Sequence, residues 1–257
     1  MTELLIDVGN SRCKYACVED RRIKLRGAFA LDNPGEIAKV VQRCGTAMPE
    51  ASYMMSVASR STNDSIAAAV VQQLGHTPIL LDKKMPLGGL RSNYEAAQLG
   101  IDRVAVMLAA WQRLRHACIV IDCGTAVTVD FIDDEGLHRG GVILPSDQLM
   151  RDSLSHGTAQ LDHFGEAHQH LRIFAINTED AVVFGCRLTL IASLSKIVQE
   201  MCRQVNRDVA VLATGGGADM LENTATYRAA NVASIKQLSV IPTLSFEGMM
   251  VIIEECV

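Results

Sequence analysis

One short pattern occurs twice. Leu5-Ile6-Asp7-Val8-Gly9-Asn10 and Val120-Ile121-Asp122-Cys123-Gly124-Thr125 each run from apolar residues through an Asp and one variable residue to a Gly and a small polar residue. Asp7 and Asp122 stand 115 residues apart in a chain of 257. A repeat spaced at nearly half the chain length is most simply a duplicated half-domain. In each copy a buried strand ends at a turn that the Gly makes possible. The expected halves are 1–115 and 116–257, which work together and not alone.

Between the two copies, strand and helix signals alternate. Strands are expected at 4–6, 14–19, 53–58 and 78–81, and a helix at 37–44 after Pro34-Gly35-Glu36. Ile66, Val70, Val71 and Leu74 carry helical spacing, with Asn63 or Asp64 as the expected N-cap. A further helix is expected from about 102 to 114. Residues 116–131 read as strand, Gly turn and strand. Asp133-Asp134-Glu135-Gly136 then makes a hairpin turn into a strand at 140–145. Residues 146–180 are mixed. A long helix at 181–204 is capped by Asn177 or Thr178, and a strand at 209–213 meets Thr214-Gly215-Gly216-Gly217. The last helix is expected at 247–255. This alternation is the mark of an α/β fold.

Composition excludes several classes of function. The net charge of −5 argues against a nucleic-acid footprint, and 4% aromatic residues against a base-stacking platform. No apolar run approaches the ~18 residues of a membrane span. The start, with no basic segment and an acid at Asp7, does not read as a secretory signal. Eight cysteines without a C-x-x-C pair read as small buried hydrophobes in a reducing cytosol. His156, His163, His168 and His170 lack metal-ligand spacing and read as a polar loop.

The repeated turns read either as ordinary β-turns capped by Asp or as phosphate cradles. Gly9 lets backbone N–H groups approach an oxyanion, Asn10 and Ser11 add side-chain donors, and Lys14 adds a positive charge. Asp7 at the strand end is a candidate holder of hydrated Mg²⁺. Asp122 to Asp130 repeats this logic with hydroxyls on Thr125 and Thr128, and the Thr214 turn suits packing against adenosine. Neither G-x-x-x-x-G-K-[ST] nor G-x-G-x-x-G is present. In Gly100-Ile101-Asp102-Arg103, Asp102 is either a helix N-cap or a general base for a substrate hydroxyl. Arg103 offers a planar fork for a carboxylate or phosphate, and Tyr94 lies just upstream.

These motifs, taken in order, resemble type III pantothenate kinases of the acetate and sugar kinase/Hsp70/actin superfamily. The matching pieces are Asp7 to Lys14, Leu99 to Arg103, Asp122 to Asp130, Gly140 to Pro145, Asn177-Thr178 with Gly185, Thr214-Gly215-Gly216, and Pro242-Thr243-Leu244 with Glu247-Gly248. The resemblance implies two ribonuclease H-like half-domains of the actin-like ATPase fold with a central cleft. It implies ATP-dependent phosphorylation of pantothenate, the first step of coenzyme A synthesis. Asp7, Val8, Gly9, Asn10, Ser11, Arg12, Cys13, Lys14 and Thr125 would bind ATP. Asp102 would be the catalytic base, and Tyr94, Gly100, Ile101, Asp102, Arg103 and Thr178 would contact pantothenate. Asp122 would hold a monovalent cation, K⁺ or NH₄⁺, and Asp7 would hold Mg²⁺ through water. A cytoplasmic homodimer with the active site near its interface is implied, with no nucleic acid or membrane partner. The stretch Glu95-Ala96-Ala97-Gln98-Leu99 lacks the family's usual Pro, and Ser146 stands where Gly is usual. Two other readings remain: another small-molecule kinase of the superfamily, and a non-catalytic relative acting as a transcription accessory factor.

Overall fold

The computed structural model describes residues 1–45, 48–82, 87–157, 173–222 and 235–256. The chain divides into two compact units, Met1–Gln112 with Thr243–Val257, and Arg113–Pro242. The C-terminal segment from Thr243 thus groups with the first unit.

The first unit begins with an antiparallel meander of β1 (Thr2–Val8), β2 (Arg12–Glu19) and β3 (Arg22–Ala30). β4 (Ala51–Ser56) pairs parallel to β1, and β5 (Ile79–Leu80) parallel to β4, giving the order β3-β2-β1-β4-β5. β1 is central, so Leu4, Leu5, Ile6 and Val8 are all buried and the strand reads as an unbroken apolar run. α1 (Glu36–Arg43) and α2 (Arg60–Leu74) place Ile37, Val40, Ile66 and Val70 in the core beside Leu4, Ile6 and Tyr15. A two-residue strand, β6 (Arg91–Ser92), precedes α3 (Ile101–Leu114).

The second unit repeats this plan. β7 (Cys118–Cys123), β8 (Ala126–Ile132) and β9 (Leu137–Pro145) form the meander. β10 (Ala210–Thr214) and β11 (Leu238–Val240) extend it in parallel, giving β9-β8-β7-β10-β11. The two meanders match strand for strand, and Asp7 and Asp122 lie near the ends of equivalent strands. α4 (Asp147–Gly157) precedes α5 (Thr178–Gln204), and α6 (Leu244–Cys256) closes the chain. By length and composition alone α5 passes as a membrane span, which the reading of short apolar runs did not anticipate. Here it serves as a core helix, with Leu190, Leu194 and Val198 packed on Ile119, Ile121 and Val129.

Four local expectations need correction. Ser59, not Asn63 or Asp64, caps α2 by accepting from the Thr62 N–H at 3.2 Å. β3 was not expected: it is an edge strand whose alternating residues are only half-buried, so it carries no apolar run. The mixed segment after Pro145 begins with α4, whose first turn Ser146 caps by accepting from Leu149 N at 3.1 Å. The cysteines are not all free: Cys17 on β2 and Cys44 at the end of α1 form a disulfide, with Cα atoms 5.4 Å apart. His163, His168 and His170 lie outside the described residues.

Candidate active site

In the first unit the site is built on the turn from β1 to β2. Gly9 N–H donates to Arg12 O at 3.1 Å, leaving Asn10, Ser11 and Arg12 exposed at the tip. Antiparallel register sets Asp7 opposite Lys14, and Lys14 Nζ lies 3.6 Å from Asp7 Oδ2. Alternation along a strand sends the neighbouring side chains to the other face. Val8 and Cys13 therefore enter the core, fully buried, and offer a nucleotide only their main chain. Burial raises the Cys13 thiol to about 12, with Asp7 nearby adding to the effect.

Asp7 is only 5% exposed. Burial raises its carboxyl above the usual carboxylate range; the Lys14 charge opposes this and the like charge of Asp102 adds to it. The polar Ser245 side chain also favours the ionised form. Lys14 thus pairs with Asp7 at the end of β1, and Asp102 and Ser245 are near enough to act on the Asp7 carboxyl.

Asp102 comes from the first turn of α3. Its Oδ1 accepts from Arg103 N–H at 2.8 Å, so the carboxylate folds back over the helix start. A Cβ on Gly100 would overlap that oxygen, so a side chain there would displace the Asp102 carboxylate from this position. Arg103 is buried, and its guanidinium carbon lies 4.9 Å from the centre of the Tyr94 ring. The turn at 95–99, held by Gln98 N and Leu99 N on Glu95 O, keeps Tyr94 close to Arg103 without the usual Pro.

The second unit presents a related turn between β7 and β8. Asp122 faces Thr128 across the ladder, and Thr125 is exposed at the tip. Thr128 Oγ1 is buried and makes no hydrogen bond among the described residues. The Thr214 turn packs on this one: Gly217 N donates to Cys123 O at 3.1 Å. Gly215 has φ +94°, and a Cβ there would overlap the Cys123 carbonyl. Thr178 is the exposed first residue of α5, and Asn177 is the N-cap, accepting from Asp180 N at 2.8 Å.

The donor sets fit the expected cations. Asp7 with Asp102 nearby offers the one or two carboxylates on which a hydrated Mg²⁺ sits. Asp122 and the buried Thr128 hydroxyl offer oxygen to a monovalent ion. Among the described residues no three His, Cys, Asp or Glu side chains converge as a metal cluster.

A family model described as type III pantothenate kinase matches residues 3–200. The chain belongs to the type III pantothenate kinase family. The type III pantothenate kinase of Chromobacterium violaceum is 34% identical, covering 84% of this chain and 88% of its own. That of Pseudomonas aeruginosa strain PAO1 is 28% identical, covering 86% and 90%. Among solved structures, a Baf family transcriptional activator from Campylobacter jejuni is similar with a TM-score of 0.59 at 21% identity, covering 98% of this chain and 97% of that one. A ROK family glucokinase from Streptomyces griseus in complex with glucose and AMPPNP has a TM-score of 0.51 at 11% identity, covering 99% and 98%. These likenesses show the fold, which is the actin-like ATPase fold that the family resemblance implied. Sequence reading of this family member missed one residue of the site, Ser245. It is a single small polar residue in an apolar helix, and only tertiary packing brings it near Asp7.

Proposed function

We propose that this chain transfers the γ-phosphoryl group of ATP to the primary hydroxyl of pantothenate. The observation that carries the reading is that Asp102, followed by Arg103 stacked on Tyr94, lies near enough to Asp7 to raise its carboxyl. One carboxylate serves the phosphate turn and the other a substrate hydroxyl, as phosphoryl transfer requires. Asp102 accepts the hydroxyl proton, and Arg103, oriented by the Tyr94 ring, pairs with the pantothenate carboxylate. Gly100, Ile101 and Thr178 are assigned to pantothenate by the family resemblance. The Asp7 to Lys14 turn and Thr125 are assigned to ATP. When bound, Mg²⁺ neutralises charge on the transferring phosphates. Asp7 is assigned to hold its water shell, and Asp122 with Thr128 to hold K⁺ or NH₄⁺.

The reading includes a cytoplasmic homodimer. An apolar groove of about 1160 Å³ between α4 and α5, lined by Leu149, Met150, Leu154 and Ile176, supports self-association. Light scattering behind a sizing column tests that state. A coupled assay of ADP release with ATP and pantothenate, with and without K⁺, tests the reaction. Pantothenate-dependent turnover raised by K⁺ is expected. Turnover with a sugar or acetate, and none with pantothenate, would overturn the reading.

A further inference from the structure

Tyr94 lies between β6 and α3, in a stretch that forms neither helix nor strand. The chain ahead of it is gripped from two helices. Leu87 and Leu90 exchange backbone hydrogen bonds at 3.1 Å and 2.7 Å, and both side chains are buried. Gly88 and Gly89 form the tip of this turn at φ +56° and +80°, the left-handed region open to glycine. The Gly88 N–H donates to Glu255 Oε2 at 2.6 Å, from the last turn of α6. The Gly88 carbonyl accepts from Gln112 Nε2 at 3.1 Å, from the last turn of α3. Both main-chain polar groups of one glycine are thus held by side chains of two helices.

α3 also meets this strap at its far end. Arg103, in the first turn of α3, has its guanidinium carbon 4.9 Å from the centre of the Tyr94 ring. The Tyr94 N–H donates to Ser92 Oγ at 3.1 Å, which closes the chain locally. From Arg103 to Gln112 the helix rises about 14 Å. The chain from Gly88 to Tyr94 spans at most about 21 Å when extended. The strap therefore runs beside α3 with modest slack, and the grip on Gly88 bears on where Tyr94 sits.

We propose that Glu255 and Gln112 are positioning residues for the acceptor substrate: by clamping Gly88 they hold the strap that presents Tyr94 beside Arg103. This rests on the assignment of Tyr94 to pantothenate. The test compares Glu255→Gln, which keeps an acceptor oxygen, with Glu255→Leu, which removes it at similar size. Glu255 is exposed, so neither change disturbs the core. Gln112→Met removes the other half of the clamp. The KM for pantothenate, kcat and calorimetric MgATP affinity are measured in the parent and in a Tyr94→Leu background. Amide hydrogen exchange of residues 88–94, read by mass spectrometry, follows the strap with no substrate present.

A hydrogen bond to a charged acceptor at an exposed position corresponds to about threefold to tenfold. Glu255→Leu and Gln112→Met are expected to raise the KM for pantothenate by that factor, with kcat and MgATP affinity near the parent. Their amides at 88–94 are expected to exchange faster. Glu255→Gln is expected to match the parent in both respects. In the Tyr94→Leu background the difference between Gln and Leu at 255 is expected to vanish from KM. Equal KM or equal exchange for Glu255→Gln and Glu255→Leu, or a KM difference that survives Tyr94→Leu, would overturn the clamp. If Tyr94→Leu alone leaves KM unchanged while exchange still separates the Glu255 variants, the assignment of Tyr94 fails and the clamp only stabilises the strap. Absence of pantothenate turnover in the parent would overturn the reaction itself, and with it the clamp's role toward substrate.

Discussion

Replacing Asp102 with Asn separates its two roles. Its Oδ1 accepts from the Arg103 N–H at 2.8 Å, and the amide oxygen of Asn accepts the same bond in the same volume. The start of α3 and the stacking of Arg103 on Tyr94 are therefore retained. What disappears is one negative charge near the buried Asp7, whose carboxyl Asp102 pushes upward. The fold loses nothing by that change and is relieved of a like-charge pair. Chemistry loses its proton acceptor, and a positioned general base is worth roughly 10²–10⁴ in rate. That corresponds to about 3–5 kcal/mol on the barrier. The expected result is a fall in kcat of that size, MgATP affinity within about threefold of the parent, and an unchanged or slightly higher Tm. Steady-state ADP release, calorimetric titration with MgATP and thermal unfolding followed by circular dichroism measure the three quantities. A kcat within about fivefold of the parent would refute Asp102 as the base. A loss of MgATP affinity as large as the loss of rate would show that Asp102 acts through nucleotide binding.

Three further predictions concern the cysteines and the aromatic ring. The Cys17–Cys44 bond closes a separation of 27 residues, and a loop of that length is worth about 3.5 kcal/mol by chain entropy. Thermal unfolding in dithiothreitol, or of Cys44→Ser, is expected several degrees lower; in a reducing cytoplasm the bond opens and this margin is lost. Native labelling with a thiol reagent at pH 8 is expected to spare Cys13, Cys118 and Cys123, whose thiols burial raises to about 12, as mass mapping would show. Tyr94→Leu removes the ring beside the Arg103 guanidinium at 4.9 Å. A cation–π contact of about 1–2 kcal/mol is worth about 5–30-fold, expected in the KM for pantothenate with kcat little changed.

Much of this protein was legible where the signal is local. Leu5-Ile6-Asp7 and Val120-Ile121-Asp122 read as buried strands because central strands are covered on both faces, and the Asp-x-Gly repeat exposed the duplication. Gly215 after β10 was conspicuous, and only glycine fits there, at a positive φ against the Cys123 carbonyl. β3 was hidden because an edge strand needs no apolar face. α4 was hidden because its capping residue, Ser146, stood where a Gly was expected. Val8 and Cys13 entered the list of ATP contacts by position in a motif, and strand alternation then turned their side chains into the core.

The sequence by itself determined the two halves, the turns that suit phosphate and the residues able to do chemistry, because each is set by a few neighbours in the chain. Only the tertiary structure decided which distant groups share one place. Cys17 met Cys44, the last helix joined the first unit, and Ser245 came near Asp7 across 238 positions of sequence. Such meetings depend on how helices and sheets pack, and no local pattern encodes the partner.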